Sequence, residues 1–208
     1  MTRIAVVDHG AGNLVSIAQG LAAVGADVAV VTDPAALAGA EGVVLPGVGA
    51  CGPAMESLQR AGFETPLRAL PVPLLGVCVG MQLLFAGSDE DGSPGLGLLA
   101  GRVRVLADAP RLPHIGWNDL ERTAPEPLLD GIPGDATFYF VHSYAPVPED
   151  ETIVTARARH GLAFTAAVRR GDVAGVQFHP ERSGRRGLAV LANFVASCRS
   201  AGRSHRVA

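Results

Sequence analysis

The apolar residues of this chain gather into short, nearly unbroken runs separated by stretches with helical spacing. Residues 3–7 (RIAVV), 27–31 (DVAVV), 42–45 (GVVL) and 72–75 (VPLL) are four such runs. Their length and β-branched content predict parallel strands buried on both faces. Between them, residues 14–24 have the periodicity of a helix, with Asn13 at its N-cap position. Residues 51–70 read as one or two helices, with Pro66 marking a new start. Strand and helix in alternation predict an α/β fold: a mostly parallel central sheet flanked by helices.

The second half changes character and predicts an additional antiparallel portion. Residues 103–106 and the aromatic run 138–144 (FYFVHSY) read as strands. Residues 152–158, 163–169 and 173–178 read as an antiparallel run, with turns at 159–161 and 170–172. Residues 87–97 and 110–118 are rich in Gly, Pro and polar residues and read as loops. Residues 187–198 form a last amphipathic helix. With no repeat or linker in view, residues 1–200 are expected to form one domain and 201–208 a frayed tail.

The fourth apolar run leads directly into Gly76-Val77-Cys78-Val79-Gly80-Met81-Gln82, and residues 79–85 read as a helix. A strand turning into a helix through G-x-C-x-G is a nucleophile elbow with Cys in the usual Ser place. The glycines allow a tight, strained turn, since a Cβ at Gly76 or Gly80 would crowd it. A cysteine at a helix N-terminus has its thiolate favoured. The N–H of Val79 is placed to stabilise an oxyanion. Pro46-Gly47-Val48-Gly49-Ala50, at the end of the third strand, is a second candidate source of such donors, because ligands bind beyond the carboxyl ends of strands in open α/β sheets. Gln82 lies one helical turn after Cys78 and could address a substrate beside it. Cys51 lacks both the preceding strand and the elbow glycines, and reads as a packing residue. Gly10-Ala11-Gly12 resembles a dinucleotide fingerprint only superficially, because Val15 stands where the third Gly belongs.

A nucleophilic cysteine needs a base, and the base an orienting group. Of six histidines, His179 has an acid two residues on, Glu181. In extended chain, i and i+2 project to one side, and Pro180 between them keeps the backbone extended. Cys78, His179 and Glu181 together make a Cys-His-Glu triad suited to acyl transfer through a thioester.

Composition narrows the alternatives. A net charge of −3 gives no basic footprint for nucleic acid. All 17 basic residues are Arg, which excludes a catalytic lysine. Three cysteines, far apart and odd in number, argue for a reducing compartment and against a disulfide framework or a zinc site. No apolar run reaches membrane-spanning length and the chain opens straight into a strand, so a cytoplasmic location is expected. No metal or cofactor is called for.

GVCVGMQ followed about 100 residues later by GVQFHPE resembles the class I glutamine amidotransferases. The resemblance runs from IAVVDHGAGN to LANF and implies that family's flavodoxin-like fold and glutamine as substrate. Within the family, DHGAGN (8–13), PGVGA (46–50), PHIGWN (113–118) and FYFVHSY (138–144) resemble the glutaminase subunits of imidazole glycerol phosphate synthases. That implies a heterodimer with a (β/α)8 cyclase subunit that consumes the ammonia in histidine biosynthesis. By the same resemblance, Cys78, His179 and Glu181 match the triad, and Val79 with Val48 and Gly49 the oxyanion region. Gln82, His142, Ser143 and Tyr144 match the glutamine pocket, and Asn13, Trp117 and Tyr139 the cyclase-facing surface. The family's Lys after HPE is replaced here by Arg182, a residue of different shape. Two other readings compete: a glutaminase serving anthranilate or purine nucleotide synthesis, and a non-catalytic binding subunit.

Overall fold

A computed structural model describes residues 1–204 of the chain. The first half is β1 (Thr2–Val7), α1 (Leu14–Ala23), β2 (Ala26–Val31), β3 (Gly42–Gly47), α2 (Cys51–Arg60), α3 (Glu64–Arg68), β4 (Leu74–Cys78) and α4 (Val79–Gln82). Strands β5 (Phe85–Ser88), β6 (Leu99–Val105), β7 (His114–Asp119), β8 (Glu121–Arg122), β9 (Thr137–His142) and β10 (Tyr144–Pro148) follow. The chain closes with β11 (Val154–His160), β12 (Leu162–Arg170), β13 (Val173–Val176) and α5 (Gly184–Ser204).

The main sheet has the order β2-β1-β3-β4-β13-β12-β11-β8. Strands β2, β1, β3, β4 and β13 run parallel, and β12, β11 and β8 continue the sheet antiparallel. The expected antiparallel run is therefore not a separate layer. Its last strand, β13, joins the parallel sheet beside β4. Apolar runs at the centre of the sheet are buried on both faces, with Ile4, Val6, Val43, Val44, Leu45 and Leu75 all closed to solvent, as a helix-covered parallel sheet requires. Helix α5 packs on α1 and β1. At its far end Cys198 fills the space over Gly42, where an added Cβ would lie 2.3 Å from the sulfur. Two smaller sheets, β10-β6-β5 and the antiparallel pair β7-β9, stand beside the main one.

The structure corrects several sequence expectations. The helix expected over 79–85 ends after Gln82, because sheet pairing competes for its next turn. The Leu83 and Leu84 carbonyls accept from Leu96 and Leu99 N–H instead, and Phe85 pairs with Leu99. Residues 114–119 are a strand and not a loop. Pairing with β9 (Trp117 opposite Tyr139) overrides their Pro/Gly composition. Strand β10, unforeseen, carries Pro146 and Pro148 on the edge of its sheet, where a missing N–H costs no ladder bond. Asn13 precedes α1 but makes no capping hydrogen bond. Helix α5 continues to Ser204, past the Ser200 at which a frayed tail was expected, and residues 205–208 of that tail lie outside the described residues. No helix among the described residues is long and apolar enough to cross a membrane.

Candidate active site

Three neighbouring strands end on one rim and carry the candidate residues there. In the register, Gly47 lies opposite Cys78 on one side, and Val176 lies opposite Val77 on the other. Cys78 is thus flanked by the Val48–Gly49 segment that leaves β3 and by the Gln177–His179 segment that leaves β13. The chain holds Cys78 at φ 54°, a left-handed conformation uncommon for a residue with a side chain. Such strain persists only where the surroundings impose it. Here α4 presses onto β3 and β4. A Cβ at Gly80 would lie 1.8 Å from the Leu45 carbonyl oxygen, and one at Gly76 would lie 2.7 Å from that of Gly80. Because α4 is a single turn, its macrodipole is small. The N–H of Val79 nonetheless has no carbonyl behind it within the helix and remains available.

A cavity of about 280 Å³ opens at this rim. Its walls include Val48, Gly49, Cys78, Val79, Gln82, His142, Ser143, Tyr144 and His179, so nine of the ten residues expected at the triad, oxyanion region and pocket meet around one space. Glu181 stands behind His179, its Oε1 2.8 Å from Nδ1. This pair is almost fully buried. Since Nδ1–H donates to the carboxylate, the other nitrogen, Nε2, is the one free to act on the sulfur. It is buried, and its interaction with the Cys78 sulfur favours the protonated ring. Burial alone would push the imidazole pKa down, but the Cys78 sulfur and the Glu181 carboxylate outweigh it and raise it to about 10.

Not every expected residue has the expected role open to it. The Gln82 amide is buried and committed to the protein: Nε2 donates to the Tyr144 carbonyl (2.9 Å) and to Gln177 Oε1 (3.1 Å), while Oε1 accepts from the Cys51 thiol (3.2 Å). It shapes the wall without a free donor. His142 is similarly engaged, with Nδ1 2.9 Å from the Tyr144 carbonyl and Nε2 3.2 Å from His114 Nδ1. Asn13, Trp117 and Tyr139, expected on a partner-facing surface and not in the pocket, lie outside the cavity. Asn13 borders a small void behind it, with Gly47, His179 and Glu181. Trp117 (57% exposed) and Ile115 (60%) point outward from β7. Tyr139 packs edge-on to Trp117 at 6.0 Å and carries the Arg182 guanidinium 4.8 Å above its ring.

Two site residues escaped the sequence reading. Gln177 donates from Nε2 to the Cys78 sulfur at 3.6 Å and is fully buried. Its position two residues before His179 was the available signal, although Gln177 and Phe178 lie in a bend past the end of β13. Glu90 brings a carboxylate to the cavity wall. Burial raises its pKa above the usual carboxylate range, with the Asp91 charge adding to this and a backbone hydrogen bond at Cys51 opposing it. Only the folding of the 87–97 segment over α2 brings it there, and nothing local in the sequence marks it.

The other cysteines are silenced by their surroundings. Burial raises the Cys51 and Cys198 thiols to about 12 each, so neither offers a thiolate at neutral pH. Burial likewise lowers His114 to about 4, with the neighbouring His160 adding to the effect, and His142 to about 3. A ring that titrates near 6.5 unfolded and near 3 folded contributes its full stability above the unfolded value and loses it as pH falls. We expect the urea midpoint to drop between about pH 7 and about pH 5, with His142 alone contributing up to about 1.4 kcal/mol per pH unit. His179 does not offset this. Its raised pKa gives a contribution that is complete below 6.5 and fades only as pH climbs towards 10. A His142→Gln variant with the parent's acid slope would show that the ring is not the source.

The family model described as "Glutamine amidotransferase class-I" matches residues 5–198. A Moorella thermoacetica protein named imidazole glycerol phosphate synthase subunit HisH is 48% identical over 206 residues, covering 97% of this chain and 98% of its own. A Symbiobacterium thermophilum protein of the same name is 49% identical over 198 residues, covering 93% of each. Among solved structures, a putative GMP synthase protein from Thermoplasma acidophilum superposes with a TM-score of 0.77 at 22% identity, over 99% of this chain and 98% of that one. PurLQS from Thermotoga maritima superposes at 0.71 and 20% identity, over 94% and 98%. At that identity the two structures speak for the α/β fold alone.

Proposed function

The chain belongs to the class I glutamine amidotransferases, and on that premise we propose that it is the glutaminase subunit of an imidazole glycerol phosphate synthase. It hydrolyses glutamine to glutamate and ammonia in the cytoplasm and passes the ammonia to a (β/α)8 cyclase subunit. The observation that carries the chemistry is the meeting of Cys78 with the buried His179–Glu181 pair at the ends of adjacent strands, on the wall of one cavity.

In this reading, His179 Nε2 takes the proton from the Cys78 sulfur, and Glu181 holds Nδ1–H and stabilises the imidazolium. The sulfur attacks the carboxamide carbon of glutamine. The negative charge on oxygen falls towards the N–H of Val79 and the Val48–Gly49 segment. His179 returns its proton to the departing nitrogen, the C–N bond breaks, and ammonia leaves a thioester. Water, deprotonated by the same imidazole, opens the thioester and releases glutamate with the thiol restored. The Glu90 carboxylate suits the ammonium group of an amino-acid substrate.

Strands β7 and β9 support a partner surface. Ile115, Trp117, Tyr139 and Val141 form two cross-strand pairs on the outward face, and Val141 also reaches the cavity wall. An aromatic patch of this kind, continuous with the site, suits a protein partner. Gly49 is left-handed (φ +86°) with open space where a Cβ would stand, so the peptides that complete the oxyanion site can reorient when a partner docks. We expect slow glutamate release from the chain alone and a rise of about 10²-fold or more, the value of one added oxyanion donor, when the cyclase and its nucleotide ligand are present. Release that ignores the partner would contradict the assignment, as would co-purification with a synthase that is not a (β/α)8 barrel.

A further inference from the structure

Behind the cavity wall runs a chain of hydrogen bonds that no step above uses. The Tyr144 carbonyl can only accept, so the His142 Nδ1 atom 2.9 Å away carries the hydrogen. In a neutral ring Nε2 is then a lone pair, and the His114 Nδ1 atom 3.2 Å from it must be the donor. His114 Nε2 is left as an acceptor facing Asn118 Nδ2 at 3.5 Å, and that amide also donates to the Arg159 carbonyl at 2.7 Å. Each assignment forces the next, and only one pattern of tautomers satisfies every contact. His160 stacks on the outer side of His114 with ring centroids 4.2 Å apart, and Phe140 stacks on it at 5.2 Å, so the ring cannot tilt away.

We infer that His114 is a positioning residue for the glutamine site, acting through the tautomer of His142 on the Tyr144 peptide. This rests on the glutaminase reading. His114 does not line the cavity, whereas His142, Ser143 and Tyr144 do. The Tyr144 carbonyl is held by two donors, His142 Nδ1–H and Gln82 Nε2–H. If His142 turned to its other tautomer, two lone pairs would face each other across 2.9 Å, and the Ser143–Tyr144 wall would have to move. His114 thus acts from the other side of the ring, its Nδ1–H joining the Tyr144 carbonyl in excluding that tautomer. It also sits on β7, whose alternate side chains Ile115 and Trp117 form the outward face. A shift of that strand would therefore be felt at the glutamine wall.

The test pairs His114→Leu, which removes the donor, with His114→Asn, whose amide nitrogen stands near the position of Nδ1. Nitrogen-15 NMR of the free protein should show His142 protonated at Nδ1 in the parent, a population protonated at Nε2 in the Leu variant, and the parent pattern restored in the Asn variant. With the cyclase present, KM for glutamine should rise about tenfold in the Leu variant, the worth of one good hydrogen bond, with kcat within about twofold. The Asn variant should return to within about threefold of the parent KM. A parent His142 protonated at Nε2 overturns the inference, as does a Leu variant with unchanged tautomer and KM. Should the Leu variant fail to fold, the parent spectrum and the Asn variant still decide it. If the parent hydrolyses no glutamine while the spectra come out as expected, the glutaminase reading has failed and the bond chain has not.

Discussion

Replacing Cys78 by Ala is expected to lower glutamine hydrolysis by about four orders of magnitude or more, the scale on which removal of a covalent nucleophile acts. No other side chain can stand in. Cys51 and Cys198 are buried thiols raised to about 12. Cys51 also spends its proton on Gln82, and Cys198 lies at the opposite end of β3, over Gly42. The substitution should leave the fold alone, because Ala keeps the same Cβ at the same φ of 54° and removes only the sulfur. Partner binding should survive for the same reason, since the outward face of β7 and β9 is untouched. Two measurements separate the nucleophile from a bystander. An electrophilic glutamine analogue should label the parent at Cys78 only and the variant nowhere. The complex formed with the variant should still make product when ammonium salt replaces glutamine. Labelling spread over all three cysteines would remove Cys78 from its role. Loss of the ammonia-driven reaction would overturn the division of labour between the two subunits.

What could be read from the chain beforehand, and what could not, follows the range of the forces involved. The buried parallel strands were legible because burial on both faces leaves a local mark, an unbroken β-branched run. The elbow was legible because its constraints sit within five residues: Gly76 and Gly80 are small since α4 passes close over β3 and β4. His179 and Glu181 were legible as a pair because they stand two residues apart, but the extended backbone expected from Pro180 is not there: Pro180–Arg182 form one 3-10 turn capped by His179, and that turn brings the Glu181 carboxylate to Nδ1. That this pair meets Cys78 is a long-range fact. It depends on β13 inserting beside β4, about 100 residues away in sequence, and only the opposed motifs hinted at it. Strands β7 and β10 were missed for the converse reason. Their Pro and Gly content speaks against a strand locally, and the partners that stabilise them, β9 and β6, are remote. Gln82 shows a subtler limit. Helical spacing put it on the side of Cys78, and that was right. Its hydrogen-bond partners, Tyr144, Gln177 and Cys51, come from three other segments, so its commitment to the wall could not be read from its own neighbourhood.

The second large effect is structural. Gly80→Ala should destabilise the protein by at least about 3 kcal/mol, at or above the upper range of ordinary overpacking. The added methyl would lie 1.8 Å from the Leu45 carbonyl oxygen and 2.7 Å from its carbon. These are backbone atoms of a fully buried strand residue opposite Gly76, so no flexible side chain can swing aside. Relief has to come from moving α4 off β3. That displacement carries Val79 away from the Val48–Gly49 segment and loosens the turn that holds Cys78. An error of about 1 Å in such an arrangement costs roughly 10²-fold in rate, so whatever folded variant remains should hydrolyse glutamine correspondingly slowly. Gly134→Ala supplies the contrast: nothing lies within 4 Å of its added methyl and its φ is not left-handed, so its stability should stay within about 0.5 kcal/mol of the parent. Urea unfolding followed by circular dichroism measures both. Were Gly80→Ala to unfold at the parent's midpoint, α4 would not press on β3 as described, and the strain at Cys78 would need another source.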